Sequence, residues 1–222
     1  MSYFEEGAEY VADYYPIFVD LKHKSVLVVG GGNIAYRKVQ TLLEHGAVVH
    51  IVSPSLLPEL KDLVDSQRCF WVEKEYGAED IKDDLLIFSC TEKDEVNDAV
   101  SLDAQKNYRL INVVDDPDKC SFIVPSIMER GDLKIAVSTS GSSPIVARQI
   151  REQLQAQYGQ EFEQYLALLK EWRIKVKSDL PSEQKRKFWV KATDGEILGL
   201  IKNGQLREAK GVIESCFRSL LD

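Results

Sequence analysis

The sequence predicts an α/β protein: a doubly wound parallel sheet, then a short strand-rich segment, then a helical C-terminal part. Three observations lead there. Short β-branched apolar runs alternate with amphipathic helical stretches through the first half, the pattern of successive strand–helix units. After Pro117 the alternation stops, and two strand-like runs are joined by a Gly-containing turn. From Pro144 onward apolar residues recur at helical spacing. The expected divisions are 1–117, 118–143 and 144–222.

Each element has its own signal. "SVLVVG" is a buried strand that ends on glycine. In "NIAYRKVQTLLEHG", Ile34, Ala35, Val39, Leu42 and Leu43 fall on one helical face, and Gly46 stops the helix. "AVVHIVS" is the second strand. Pro54 and Pro58 bracket a loop before the helix "ELKDLVDSQ". "CFWVEKEY" is strand-like, "DDLLIFSCT" is a buried strand, "EVNDAVSLDAQKN" is a helix and "LINVVD" is the fifth strand. "SFIVPSIMERGDLKIAVSTS" reads as an antiparallel pair. "PIVARQIREQLQAQYG" and "EFEQYLALLKEWRIKVKSD" are helices, Pro181 marks a break, and shorter amphipathic pieces run to "GVIESCFRSLLD".

Composition narrows the function. The 222 residues are 44% hydrophobic and 29% charged, ordinary for a globular protein. The opening "MSYFEEGAEYVADYYPIF" is acidic and lacks an apolar signal core, and the apolar runs are too short to span a bilayer. Cys69, Cys90, Cys120 and Cys216 show no ligand spacing, so free thiols in a reducing cytoplasm are expected. Residues 1–150 carry 15 Lys+Arg against 25 Asp+Glu, and residues 151–222 carry 13 against 11. That acidic first part, without a basic face interleaved with aromatics, argues against nucleic acid. His23, His45 and His50 are scattered, so no metal-ligand set is expected.

The chemistry begins at the first turn. Gly30, Gly32 and Ala35 fit G-x-G-x-x-A between a strand and a helix, the context of a Rossmann-type dinucleotide site. Gly30 permits the tight turn, Gly32 lets the backbone approach a pyrophosphate, and small Ala35 allows close helix–sheet packing. The helix N-terminus then offers free N–H groups and the positive end of its dipole. The second strand usually ends in an acidic residue that grips the ribose hydroxyls. Here it ends at Ser53, followed by Pro54 and Ser55. Serine hydrogen-bonds a ribose hydroxyl without repelling a 2′-phosphate, so the fingerprint leaves NAD and NADP both open. Thr91, just past the fourth strand, joins the cofactor candidates.

Three blocks in order, "YPIFVDLKHKSVLVVGGGNIAYRKVQTLLEHGAVVHIVSP", "INVVDDPDKCSFIVPSI" and "DLKIAVSTSGSSPIVARQIRE", resemble the siroheme-synthase dehydrogenase/chelatase family. The resemblance runs from about Tyr15 to Leu154. It implies a Rossmann domain, a strand-rich segment that pairs across a homodimer, and a helical domain. It implies NAD-dependent oxidation of precorrin-2 to sirohydrochlorin; in some members ferrous iron is then inserted. By the same resemblance the catalytic aspartate is Asp115, the cofactor contacts are Asn33, Ile34, Pro54 and Ser55, and a serine-rich turn corresponds to "STSGSSP". Asp116 and Asp118 lie close by, so the base stays open among the three. Some members carry a fused methyltransferase domain that 222 residues cannot hold, so this chain is not expected to make its own precorrin-2.

Residue chemistry accommodates that reading. Oxidising a reduced tetrapyrrole needs a hydride acceptor and a base for the accompanying proton. Asp115 falls at the carboxyl end of a strand, where open α/β sheets bind ligands, although Asp near Pro also serves simply to open a turn. Precorrin-2 carries eight carboxylates, so basic groups and N–H donors are wanted. Ser142 or Ser143 can cap a helix that has Pro144 at its first position. Arg148 and Arg151 share a face of that helix, a face that solvent alone would also explain. Two competing readings are a non-catalytic NAD(H)-sensing module and a potassium-channel-type Rossmann regulator. Asp115 and the "SGSSP" turn favour the enzyme.

Overall fold

The computed structural model describes residues 14–221. The reading of the extreme N-terminus as lacking a signal core falls largely on residues 1–13, outside the described residues. The chain divides between Val124 and Pro125 into two compact units.

In the first unit five strands form one sheet in the order β3-β2-β1-β4-β5: β1 Ser25–Val29, β2 Val48–Ser53, β3 Phe70–Glu73, β4 Leu86–Ser89 and β5 Leu110–Val113. Every pairing is parallel; Val28 sits beside both Ile51 and Phe88. Alternating side chains bury both faces. Val26 and Val28 pack with Ala35, Val39 and Leu42 of α1 (Asn33–Glu44) and Leu60 of α2 (Pro58–Asp65). Leu27, Val29 and Ile111 pack with Val100 and Ala104 of α3 (Asp94–Lys106). This is the doubly wound Rossmann arrangement. Burial on both sides explains why these strands read as continuous apolar runs.

In the second unit, β6 (Ser126–Arg130) and β7 (Leu133–Val137) form an antiparallel hairpin. It turns at Gly131, whose φ of +56° suits glycine. Helix α4 (Pro144–Gln157) packs along both strands. Helix α5 spans Glu161–Asp179, and Pro181 separates it from α6 (Ser182–Ala192). With α7 (Glu196–Lys202) and α8 (Leu206–Arg218) they enclose a core of Leu168, Val176, Phe188, Ile197, Ile213 and Phe217. No helix among the described residues is long and apolar enough to cross a membrane.

Candidate active site

The carboxyl ends of the parallel strands open into a cleft of about 650 Å³. Its floor is the turn after β1. Gly30 has φ +119°, and a Cβ there would lie 2.5 Å from the Cys90 carbonyl oxygen. A Cβ on Gly31 would come within 2.0 Å of the Ser55 carbonyl oxygen. Both positions therefore require glycine for close backbone approach. A Cβ on Gly32, the N-cap of α1, would meet nothing. The first turn of α1 carries no acid and its N-terminus has no side-chain cap. The orphan amides of that turn thus face the cleft without an internal partner. Open space at Gly32 and an uncapped helix dipole fit a pyrophosphate.

Of the residues expected to hold cofactor, Gly30, Gly32, Asn33, Ile34, Ser53, Pro54 and Thr91 line this cleft, and Asp115 lines it with them. Ala35 and Ser55 do not. Ala35 is fully buried under the sheet, where its small side chain lets α1 approach. Ser55 lies behind the glycine turn, and its carbonyl accepts the Ser53 hydroxyl at 2.8 Å. Ser53 accordingly donates inward rather than toward a ligand, and its own carbonyl accepts the Trp71 indole N–H at 2.9 Å.

The wall after β4 is braced by a residue that periodicity does not reveal. Asn97 of α3 is buried. Its amide donates to the Thr91 carbonyl at 3.2 Å, and it accepts the Ser89 hydroxyl at 2.7 Å. Cys90 also lines the cleft. Burial pushes its thiol up to about 12, against a smaller opposing pull from Lys38, so it stays protonated and is no nucleophile at neutral pH.

Asp115 stands two residues past the end of β5, in the left-handed region at φ +61°. Aspartate tolerates that conformation better than most residues. Strain of this kind persists only where neighbours impose it, and here Cys120 is central. Its sulfur lies 3.2 Å from the carbonyl oxygens of both Val113 and Asp116 and accepts the Val113 amide at 3.1 Å. The backbone on both sides of Asp115 is thereby tied to one half-buried thiol. Asp116 also lines the cleft, but its carboxylate is held by Lys119 at 2.8 Å, and Lys119 reaches Asp98 at 2.7 Å. Lys119 donates hydrogen bonds to both carboxylates, which raises its pKa, so the ammonium stays charged and is shared between Asp98 and Asp116. Asp118 is not among the lining residues.

Ser142, Ser143, Arg148 and Arg151 belong to the second unit. Ser143 caps α4, accepting the Val146 amide at 3.3 Å. Arg148 and Arg151 converge on one carboxylate, Glu152, each at 3.0 Å. Their charge is thus shared with an internal partner, which the one-face spacing alone did not reveal. The same unit holds a cavity of about 630 Å³ lined by Lys170, Arg173, Lys177 and Lys185 around Leu166, Leu169 and Trp189. No group of three or more His, Cys, Asp or Glu side chains among the described residues is placed to hold a metal ion.

The cleft also contains Gly31, Glu75, Tyr76 and Lys93, none of which the motif singles out. Gly31 is an x in G-x-G-x-x-A. Glu75 and Tyr76 follow β3, and the rule that ligands gather beyond the carboxyl ends of parallel strands was the signal available for them.

Comparisons with known proteins cover most of the chain. A family model of NAD(P)-binding domains matches residues 17–126. One described as sirohaem biosynthesis protein central matches 130–157, and one described as the sirohaem synthase dimerisation region matches 163–216. The siroheme synthase of Mannheimia succiniciproducens is 40% identical over 203 residues, covering 91% of this chain and 43% of that protein. Siroheme synthase 1 of Serratia proteamaculans is 41% identical with the same coverage. The chain thus spans about two fifths of the length of these curated relatives. A solved structure titled SirC, precorrin-2 dehydrogenase, superposes with a TM-score of 0.79 at 29% identity, over 91% of this chain and 100% of that one.

Proposed function

The chain belongs to the siroheme-synthase family, and from that premise we propose that it oxidises precorrin-2 to sirohydrochlorin with NAD as the hydride acceptor. One observation carries the proposal: the dinucleotide turn and Asp115 open into the same cleft at the carboxyl ends of the sheet. The relative titled precorrin-2 dehydrogenase, matched over its whole length, supports the reaction.

The oxidation removes a hydride and a proton. NAD supplies the nicotinamide ring that takes the hydride. The uncapped start of α1, with Asn33 and Ile34 in its first turn, would hold the pyrophosphate. Gly30 and Gly31 keep the floor free of side chains. Asp115 would take the proton. Of the three candidate aspartates, Asp116 is paired with Lys119 and Asp118 is outside the cleft lining, so we assign the role to Asp115. Ser142, Ser143, Arg148 and Arg151 are proposed contacts for the substrate carboxylates. We further propose a homodimer, supported by the match to a dimerisation region at 163–216. Iron insertion, which the resemblance implies for some members only, would be a separate step with ferrous iron as a substrate, and it would draw on the same carboxylate for the pyrrole protons.

The test is anaerobic incubation of the purified chain with precorrin-2 and NAD, following NADH absorbance, then with preformed sirohydrochlorin and ferrous iron. NADH that appears only with precorrin-2 supports the dehydrogenase. Dinucleotide binding without turnover points instead to a sensing module. Iron insertion no faster than background leaves a dehydrogenase alone.

A further inference from the structure

The acid missing after β2 raises the question of what reads the ribose, and the fold supplies a candidate from the neighbouring strand. β3 pairs in parallel with β2, with Ser53 opposite Glu73. Two residues beyond Glu73, Glu75 lines the same cleft as Ser53, Pro54 and the glycine turn. The strand ends at Glu73 and the chain bends at Lys74, whose amide donates to the Val72 carbonyl at 3.1 Å, and this turn brings Glu75 to the cleft, so an acid absent from the end of β2 is supplied one strand outward. Ser53 is a poor substitute, because its hydroxyl proton is committed to the Ser55 carbonyl. The Glu75 carboxylate bonds the Lys93 ammonium at 3.0 Å. Lys93 precedes α3 on the far side of β1, so the pair links the β3 and β4 sides of the cleft. Lys93 is the lone cation among the lining residues, against Glu75, Glu92, Asp94, Asp115 and Asp116.

We infer that Glu75 sets the choice of dinucleotide in this chain: its carboxylate accepts from the adenosine ribose hydroxyls and repels a 2′-phosphate, and by occupying Lys93 it denies that phosphate the cation it would seek. The inference rests on the proposed dinucleotide site. It makes the pair more than an ordinary exposed ion pair, which would contribute little.

Removing the charge should act twice on NADP, by relieving repulsion and by freeing Lys93. Glu75→Gln keeps the size and an acceptor oxygen. A phosphate of roughly two charges beside one carboxylate at high effective dielectric gives an expected change of about tenfold. The experiment is calorimetric titration of wild type, Glu75→Gln and Glu75→Gln/Lys93→Ala with NAD and with NADP at low ionic strength. Wild type should prefer NAD, Glu75→Gln should shift the ratio of dissociation constants about tenfold toward NADP, and the double variant should return part of that shift. Binding of neither dinucleotide by wild type overturns the site itself, and this inference with it. A wild type that prefers NAD, together with a Glu75→Gln ratio that does not move, overturns the role of Glu75 alone.

Discussion

At the scale of single residues, the cleft is defined by what its neighbours permit. Gly31 tolerates no side chain against the Ser55 carbonyl. Gly31→Ala should therefore cost about 1–3 kcal/mol of stability through backbone displacement, read as a lowered urea midpoint of the first unit. Gly32 is the reverse case. Gly32→Asp meets no steric barrier in the protein, so the fold should persist while an anion at the head of α1 abolishes dinucleotide binding. Normal folding with unchanged NAD affinity would show that the pyrophosphate lies elsewhere. Cys120 is a positioning residue: Cys120→Ala frees the backbone on both sides of Asp115 and should lower kcat with little change in the dissociation constant of NAD. Cys120→Ser, which keeps a donor, should restore part of the loss. Equal loss of stability and of NAD affinity in both variants would mark the thiol as packing alone.

At the scale of elements, much of the architecture was legible and the reasons are specific. The helix Glu161–Asp179 has the bounds its sequence predicts, because its apolar spacing runs up to the stop before Pro181. β1 and β4 were legible because parallel strands buried on both faces leave no polar alternation. "CFWVEKEY" is longer than the strand it contains: pairing with β2 ends at Glu73, and Glu75 and Tyr76 line the cleft. "LINVVD" likewise stops at Val113, and Asp115 turns left-handed. Nothing in local propensity reports the sulfur that braces that turn, since Cys120 is five residues away and bonds backbone atoms. The inward commitment of the Ser53 hydroxyl and the capture of Arg148 and Arg151 by Glu152 escaped for the same reason: each is a choice of partner, not a pattern. That capture sharpens an expectation for α4. Glu152→Gln should unpair the charge of both guanidinium groups, although Arg151 keeps its bond to Gln155, and lower the KM for a polycarboxylate substrate, whereas Arg148→Glu should raise it; an unmoved KM in both variants would leave this helix face merely solvated.

At the scale of the whole molecule, a first unit proposed to bind a dinucleotide beside a base is followed by a second unit of hairpin and helices. α4 packs along the hairpin, yet the hairpin is only two strands wide, with exposed edges that invite pairing. A homodimer is expected, and light scattering at micromolar concentration should return twice the chain mass. A monomer there would argue against the proposed assembly. The central claim, however, concerns chemistry: the cleft that binds NAD uses Asp115 as its base. The direct test is anaerobic turnover of precorrin-2 by wild type and by Asp115→Asn at saturating NAD, with NAD affinity measured on both. Loss of a general base typically costs about 10²–10⁴-fold. The account predicts a fall in kcat of that order with NAD binding unchanged; full activity in Asp115→Asn would contradict it.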